Sequence, residues 1–182
     1  MIEPEALFAP MDDGEIHLEQ LAEQHREGLR AACAADHEIW RIYPVDMSGE
    51  NFEPAFEAIL ANPDRKPFAL IVDGTVIGMS GYLNLALDRQ ALEIGGTFMA
   101  PAARGTGLND RIKKLLLDRA FACGIRRVEF RIDERNARSQ GAVMKLGAVK
   151  EGLLRAERIT WNGHVRDTGV FSILAEEWAT RT

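Results

Sequence analysis

Apolar and polar positions along the chain change period several times, and each change marks an element. Ala22–Ala35 consists of strong helix formers and predicts a helix. Asn51–Leu60 predicts a second, stopped at Asn62-Pro63 because a residue before proline disfavours the α region. The pattern then turns β-rich. Phe68–Val72 and Thr75–Tyr82 flank Asp73-Gly74, a pair suited to a tight hairpin whose two turn positions need φ > 0. Ala91–Met99 is a further strand. Leu108–Cys123 is the clearest helix: Leu108, Ile112, Leu115, Leu116 and Ala122 share one side, and Leu117 and Phe121 form a second apolar patch. Gly124 suits the position just past its end. Arg127–Asp133 alternates, with Val128, Phe130 and Ile132 on one face and Glu129 and Arg131 on the other, the period of a strand. Asn136 opens a helix that turns Val143 and Leu146 inward and closes at Gly147. Val149–Thr160 and Val165–Leu174 flank Trp161-Asn162-Gly163-His164, a second hairpin signal that places His164 at a solvent-exposed tip. Glu15–Leu18 is a short first strand, residues 1–13 are expected to be an extended arm, and Asp36–Gly49 fits no regular pattern. This order predicts an α/β (α+β) fold, a mixed sheet with covering helices. It comprises the arm over 1–13 and one domain over 14–182.

Composition narrows the class. The chain has 182 residues, 46% hydrophobic and 27% charged, the balance of one globular domain and not of a disordered chain. No run approaches the roughly 18 uninterrupted apolar residues of a membrane span. The start, MIEPEALFAPMDDGE, has neither the basic nor the apolar region of a signal peptide. Cys33 and Cys123, both in helix-like context, make no disulfide framework, so a cytoplasmic setting is expected. No His/Cys/Asp/Glu set has metal-ligand spacing, and no metal is expected. The net charge of −6 argues against nucleic acid and anionic membranes as partners. It leaves room for a local basic site that takes a phosphorylated ligand.

Ile94–Asn109, IGGTFMAPAARGTGLN, supplies such a site. A strand passes through a loop with Arg104, Gly105 and Gly107 into the long helix. A helix N-terminus has unpaired N–H groups and a partial positive charge. Glycines let the backbone come close and Arg104 adds charge, which suits a pyrophosphate. Gly107 is followed by Leu108-Asn109, so this is no P-loop, and a third glycine for a dinucleotide fingerprint is missing. Gly-x-Gly alone also occurs in ordinary strand–helix loops.

Arg104-Gly105-Thr106-Gly107-Leu108-Asn109 resembles the pyrophosphate loop of the GCN5-related N-acetyltransferases (GNAT), Gln/Arg-x-x-Gly-x-Gly/Ala, with Asn109 where Gly or Ala is usual. Gly-Thr-Gly-x-Asn is similar to the branch containing the ribosomal-protein N-terminal acetyltransferases. So are Arg127-Val128-Glu129-Phe130, Asp133-x-x-Asn136-x-x-Ser139, Lys145-Leu146-Gly147-Ala148, Glu151-Gly152-x-Leu154-Arg155 and Gly163-x-x-Arg166-Asp167-Thr168. The resemblance is strongest from Leu92 to Trp178. It implies a splayed mixed sheet that holds acetyl-CoA between Ala91–Met99 and Arg127–Asp133. The backbone of Arg104, Gly105, Thr106, Gly107, Leu108 and Asn109 would hold the pyrophosphate. The backbone around Phe98 and Met99 would pair with the pantetheine as an added strand does, and Asn136 and Ser139 would lie near the pantetheine arm and the sulfur. The reaction it implies is direct attack of a primary amine on the thioester in a ternary complex. The acceptor would be a peptide or protein α-amine or, alternatively, a small-molecule amine. Homodimers are a feature of the same branch, with the C-terminal hairpin as contact.

Individual residues keep two readings. The resemblance makes Ser139 the donor to the departing thiolate; by spacing alone it is a first-turn serine. Asn136 can cap the helix and still touch coenzyme A. Glu93 is the first choice for a base or water-positioning residue, against an ordinary strand-face glutamate, with Glu38 and Asp46 as substitutes. Trp40 and Tyr43 are candidate walls of the acceptor pocket or ordinary packing residues. Lys113 and Lys114 read as a solvated face, with Arg111 or Lys113 able to reach an adenosine phosphate. Ala100-Pro101-Ala102 stands where some relatives carry an acid, which keeps open a non-catalytic acyl-CoA sensor.

Overall fold

A computed structural model describes residues 4–181. Eight strands form one sheet in the order β1-β2-β3-β4-β5-β6-β8-β7. They are β1 (Met11–Asp12), β2 (Ile16–Gln20), β3 (Arg65–Val72), β4 (Thr75–Ala86), β5 (Ala91–Met99), β6 (Arg127–Asp133), β7 (Val149–Ile159) and β8 (Val165–Leu174). All neighbours run antiparallel except β5 and β6, which are parallel. The helices are α1 (Pro4–Phe8), α2 (Arg26–Ala34), α3 (Phe52–Ala61), α4 (Leu108–Ala122), α5 (Ala137–Lys145) and α6 (Ala175–Ala179). The expected mixed sheet with covering helices is therefore present.

The sheet separates two cores. On one side Ile112, Leu116 and Leu117 of α4 pack on Leu92, Ile94, Val128 and Phe130. On the other, Leu29 and Cys33 of α2 and Phe52 and Phe56 of α3 pack on Ala69, Met79 and Phe98. An apolar side chain on each face of a strand explains why the central strands read as runs and not as clean alternation.

Residues 1–3 of the expected extended arm lie outside the described residues, and from Pro4 on the stretch departs from that expectation. Pro4–Phe8 is helical, and Met11 pairs with Leu18 at the sheet edge. Leu7 and Met11 are buried with the α4 core, and Arg119 of α4 donates to the carbonyls of Ala6, Ala9 and Pro10 at 2.6, 3.0 and 3.1 Å. Burial of two apolar side chains outweighs the prolines. Asp36–Gly49 contains a 3-10 turn at Glu38–Ile42 that carries Trp40 inward.

The first hairpin has φ of 49° at Asp73 and 72° at Gly74, as its tight turn requires. In the second only Gly163 is left-handed, at 81°. Its N–H donates to the Thr160 carbonyl at 2.9 Å, while the Asn162 side-chain oxygen accepts from the Thr160 hydroxyl and the His164 N–H. The loop is thus wider than a two-residue turn, and His164 is half-buried instead of exposed.

Candidate active site

β5 pairs with β6 only at Ala91, Leu92 and Glu93, opposite Arg127, Val128 and Glu129. Beyond Glu93 the pairing ends, and the opening lies between the second halves of β5 and β6. A bulge sits at this point. The register with β4 passes from Gly81↔Gly95 to Met79↔Phe98, so β5 holds one extra residue, and Gly96 takes φ of +61°. The extra residue reverses the alternation. Ile94 faces the α4 core, yet Met99 faces it too, while Phe98 enters the other core.

The bulge also decides which backbone groups face the opening. The Ala100 N–H donates to the Ile77 carbonyl on β4 at 2.8 Å. Strand alternation then turns Phe98 toward β4, and Thr97 and Met99 toward the opening. The Tyr43 hydroxyl caps the Thr97 carbonyl at 2.7 Å, and Arg104 Nε caps the Met99 carbonyl at 2.7 Å. The N–H groups of Thr97 and Met99 are the donors this edge retains. Sequence reasoning centred on Phe98 and Met99; the bulge moves the outward pair to Thr97 and Met99.

The loop after β5 makes a 3-10 turn at Pro101–Ala103 and reaches α4 through Gly105 and Gly107, with φ of +76° and +88°. The Thr106 hydroxyl donates to the Ala103 carbonyl at 2.8 Å, and Asn109 stands in the first turn of α4. Arg104 is an anchor. Besides Met99 it binds Asp36 at 2.5 Å and lies over the Phe98 ring, and its Nη2 is buried with no partner among the described residues. Its hydrogen bond holds the Asp36 carboxyl below its usual pKa. Loop electropositivity therefore rests on backbone N–H groups and the start of α4.

Trp40 is 1% exposed and stacks on Phe98 with ring centres 4.6 Å apart. It supports Tyr43, whose ring meets it edge-on at 5.1 Å. Burial pushes the Tyr43 phenol up to about 12, with Arg104 and Arg138 acting against it. Asn136 caps α5, its side-chain oxygen accepting the Ser139 N–H at 3.0 Å. The Ser139 hydroxyl is half-buried and has no partner among the described residues.

Glu93 is 9% exposed, held by Asn84 Nδ2 at 2.8 Å and 3.8 Å from Arg131 Nε. Burial raises its pKa, against the pull of Asn84 and Arg131. Glu38 pairs with Arg41 at the surface, and Asp46 accepts from the Ser48 N–H and hydroxyl and from Asn51. Arg111 is engaged by Asp13 and Glu15.

Lys113 corrects the sequence reading. It is 5% exposed, and its ammonium reaches Thr97 Oγ1 and Ser80 Oγ on the underside of β5 and β4. Burial lowers its pKa to about 7, with Glu93 opposing. An i, i+1 lysine pair reads as solvated, yet adjacent helical positions point in different directions: Lys114 stays out and pairs with Asp118. A signal was available, since Lys113 follows Ile112 and precedes the apolar run Leu115–Leu117.

Residues 15–149 match the family described as Acetyltransferase (GNAT) domain, and the chain belongs to the GNAT acetyltransferases. It is 26% identical over 176 residues to YoaA of Bacillus subtilis (strain 168), described as an uncharacterized N-acetyltransferase, covering 92% of this chain and 98% of that one. A crystal structure from Chromobacterium violaceum ATCC 12472, described as a probable acetyltransferase of the GNAT family, superposes with a TM-score of 0.86. It is 30% identical, over 94% of this chain and 89% of the other. RimJ of Mycobacterium smegmatis in complex with CoA-disulfide shares the fold, with a TM-score of 0.78 at 21% identity over 92% and 87% of the two chains. Enzymes of this family use acetyl-CoA. Among the described residues no cluster could hold a metal ion, and no helix is long and apolar enough to cross a membrane.

Proposed function

We propose that the protein transfers the acetyl group of acetyl-CoA to a primary amine by direct attack in a ternary complex. The acceptor is an α-amine of a peptide or protein, as in the ribosomal-protein branch of the family. The observation that carries this is the opening past Glu93, where the outward N–H groups of Thr97 and Met99 lead into the glycine loop and the start of α4. Its chemistry fits the cosubstrate: strand-edge donors for amides of the pantetheine, and unpaired helix N–H groups for a pyrophosphate.

Acetyl-CoA brings its acetyl group as a thioester, ready for attack by a neutral amine. The chain supplies the rest. Backbone from Arg104 to Asn109 holds the phosphates, and Asn136 fixes the first turn of α5 so that the unpartnered Ser139 hydroxyl can donate a hydrogen bond to the leaving thiolate, which takes its proton from solvent. Glu93 receives the ammonium proton. An α-amine, with a pKa of about 7.7–8.0, is already partly neutral near pH 7, whereas a lysine amine at about 10.4 is not. A weak base suffices for the first. Exposed Val149, Leu153, Leu154 and Ile159 along β7 support the C-terminal hairpin as a self-association surface.

Calorimetry with acetyl-CoA, followed by mass spectrometry of products from peptide and small-amine panels, tests this reading. Micromolar binding and acetylated α-amines are expected. Binding without any product would favour a sensor, and absence of binding would remove both.

A further inference from the structure

The sheet face that carries Glu93 is dense in charge, and most of it is paired. Arg127 binds Glu151, Arg158 binds Glu157, and Arg135 binds Asp133. Arg131 lies 3.5 Å from Glu129 and 3.8 Å from Glu93. Arg166 donates to Thr168 and to the Arg131 carbonyl.

Arg65, at the start of β3, is different. It is half-buried, and its guanidinium has neither hydrogen bond nor ion pair among the described residues. Its guanidinium sits over the bulge of β5. A Cβ on Gly96 would stand 2.6 Å from Arg65 Nη2, and a Cβ on the neighbouring Gly95 would stand 2.8 Å from Glu93 Oε1. A guanidinium and a carboxylate thus flank two consecutive glycines where β5 leaves β6. A small recess of about 10 Å³ there is lined in part by Arg65, Leu83, Gly95 and Gly96.

A guanidinium drawn partly out of water without a counter-charge is disfavoured. Burial and Arg158 both act against its charge, and Glu93 alone favours it. Glu93 does not close the pair, because Asn84 and Arg131 already hold it. The planar fork matches a carboxylate bidentately. The net charge of −6 would draw cations to the molecule as a whole, but the unpaired charge beside the bulge is positive.

We propose that Arg65 binds a carboxylate of the acceptor, so that the substrate is an amine with a carboxylate a few bonds away, the amine lying toward Glu93. The source is a free amino acid or an acidic residue at a peptide N-terminus; a polyamine lacks the group. This rests on the amine-acetylation reading above.

The experiment compares matched acceptors on the full chain: amino acids against their amides, peptides beginning with Asp or Glu against Asn or Gln, and spermidine. Acceptor affinity is also measured by calorimetry on the CoA-loaded protein. Carboxylate members should exceed their amides in kcat/KM by about tenfold or more, the range of a charge-assisted hydrogen bond. Whichever pair shows the difference names the source. Arg65→Gln should collapse the ratio toward one, chiefly through KM and acceptor affinity, while acetyl-CoA affinity and the melting temperature hold; Arg65→Lys should restore part of it. Equal use of amides or spermidine by the wild type, or an unchanged ratio in Arg65→Gln, overturns the assignment. Bound acetyl-CoA with no product from any amine overturns the acetylation reading itself, a distinct result.

Discussion

Lys113 Nζ lies 2.5 Å from Thr97 Oγ1 and 3.3 Å from Ser80 Oγ, with no carboxylate within ion-pairing distance among the described residues. A helix under the sheet thereby sends an amine to the strand whose upper edge would hold the cosubstrate. Unfolded, this lysine keeps its proton to about 10.5; folded, only to about 7. Between those values the unfolded chain binds more protons, so this residue makes stability rise with pH across the window. Lys113→Met should flatten that rise. Urea unfolding of both proteins at several pH values from 6.5 to about 10 checks it, and parallel curves would count against the buried amine.

Glu93 carries the opposite sign. Burial raises its folded pKa above 4.5, so the folded state binds more protons and stability falls as pH climbs through that window. Glu93→Gln keeps the shape and the Asn84 contact. It should be at least as stable as wild type at neutral pH and yet lose most turnover. A variant both stable and fully active would show that Glu93 is only a strand-face residue.

Gly96 takes φ of +61°, and its Cβ would press on Arg65 Nη2 at 2.6 Å. Because Arg65 can swing away, the backbone decides the cost. Gly96→Ala should lose about 1–2 kcal/mol, the left-handed penalty for a residue with a Cβ. Acetyl-CoA affinity should fall with it, since the bulge aims Thr97 and Met99. Chemical denaturation and calorimetry read the two effects separately.

Asn136 and Ser139 should separate by substitution. Asn136→Ala removes the cap of α5 and should cost about 1 kcal/mol of stability. Ser139→Ala leaves the cap in place, because Asn136 binds the backbone N–H and not the hydroxyl. It should lower kcat more than acetyl-CoA affinity. Wild-type turnover in Ser139→Ala would remove its role toward the sulfur.

Local pattern made much of the architecture legible. Ala91–Met99 and the start of α4 at Leu108 were readable because glycine punctuation and periodicity act over a few neighbours. The glycine loop, its arginine and the cap at Asn136 were visible for the same reason. What Arg104 and Lys113 touch was not. Asp36, 68 positions from Arg104, and Ser80, 33 positions from Lys113, share no local pattern with them. The N-terminal stretch was misread as extended because its two anchoring apolar residues have partners only in the assembled core.

The sequence by itself determined the succession of strands and helices, the glycine-rich anion loop at a helix start, and the kinship those motifs carry. Tertiary structure alone decided the functional surface. One extra residue at Gly96 reversed the alternation of β5, and the separation of β5 from β6 exposed an edge. Pairing also consumed the charges around Glu93 while leaving Arg65 unpaired. Periodicity reports which side of an element is apolar; which groups meet, and which are left without a partner, depends on strands brought together from distant parts of the chain.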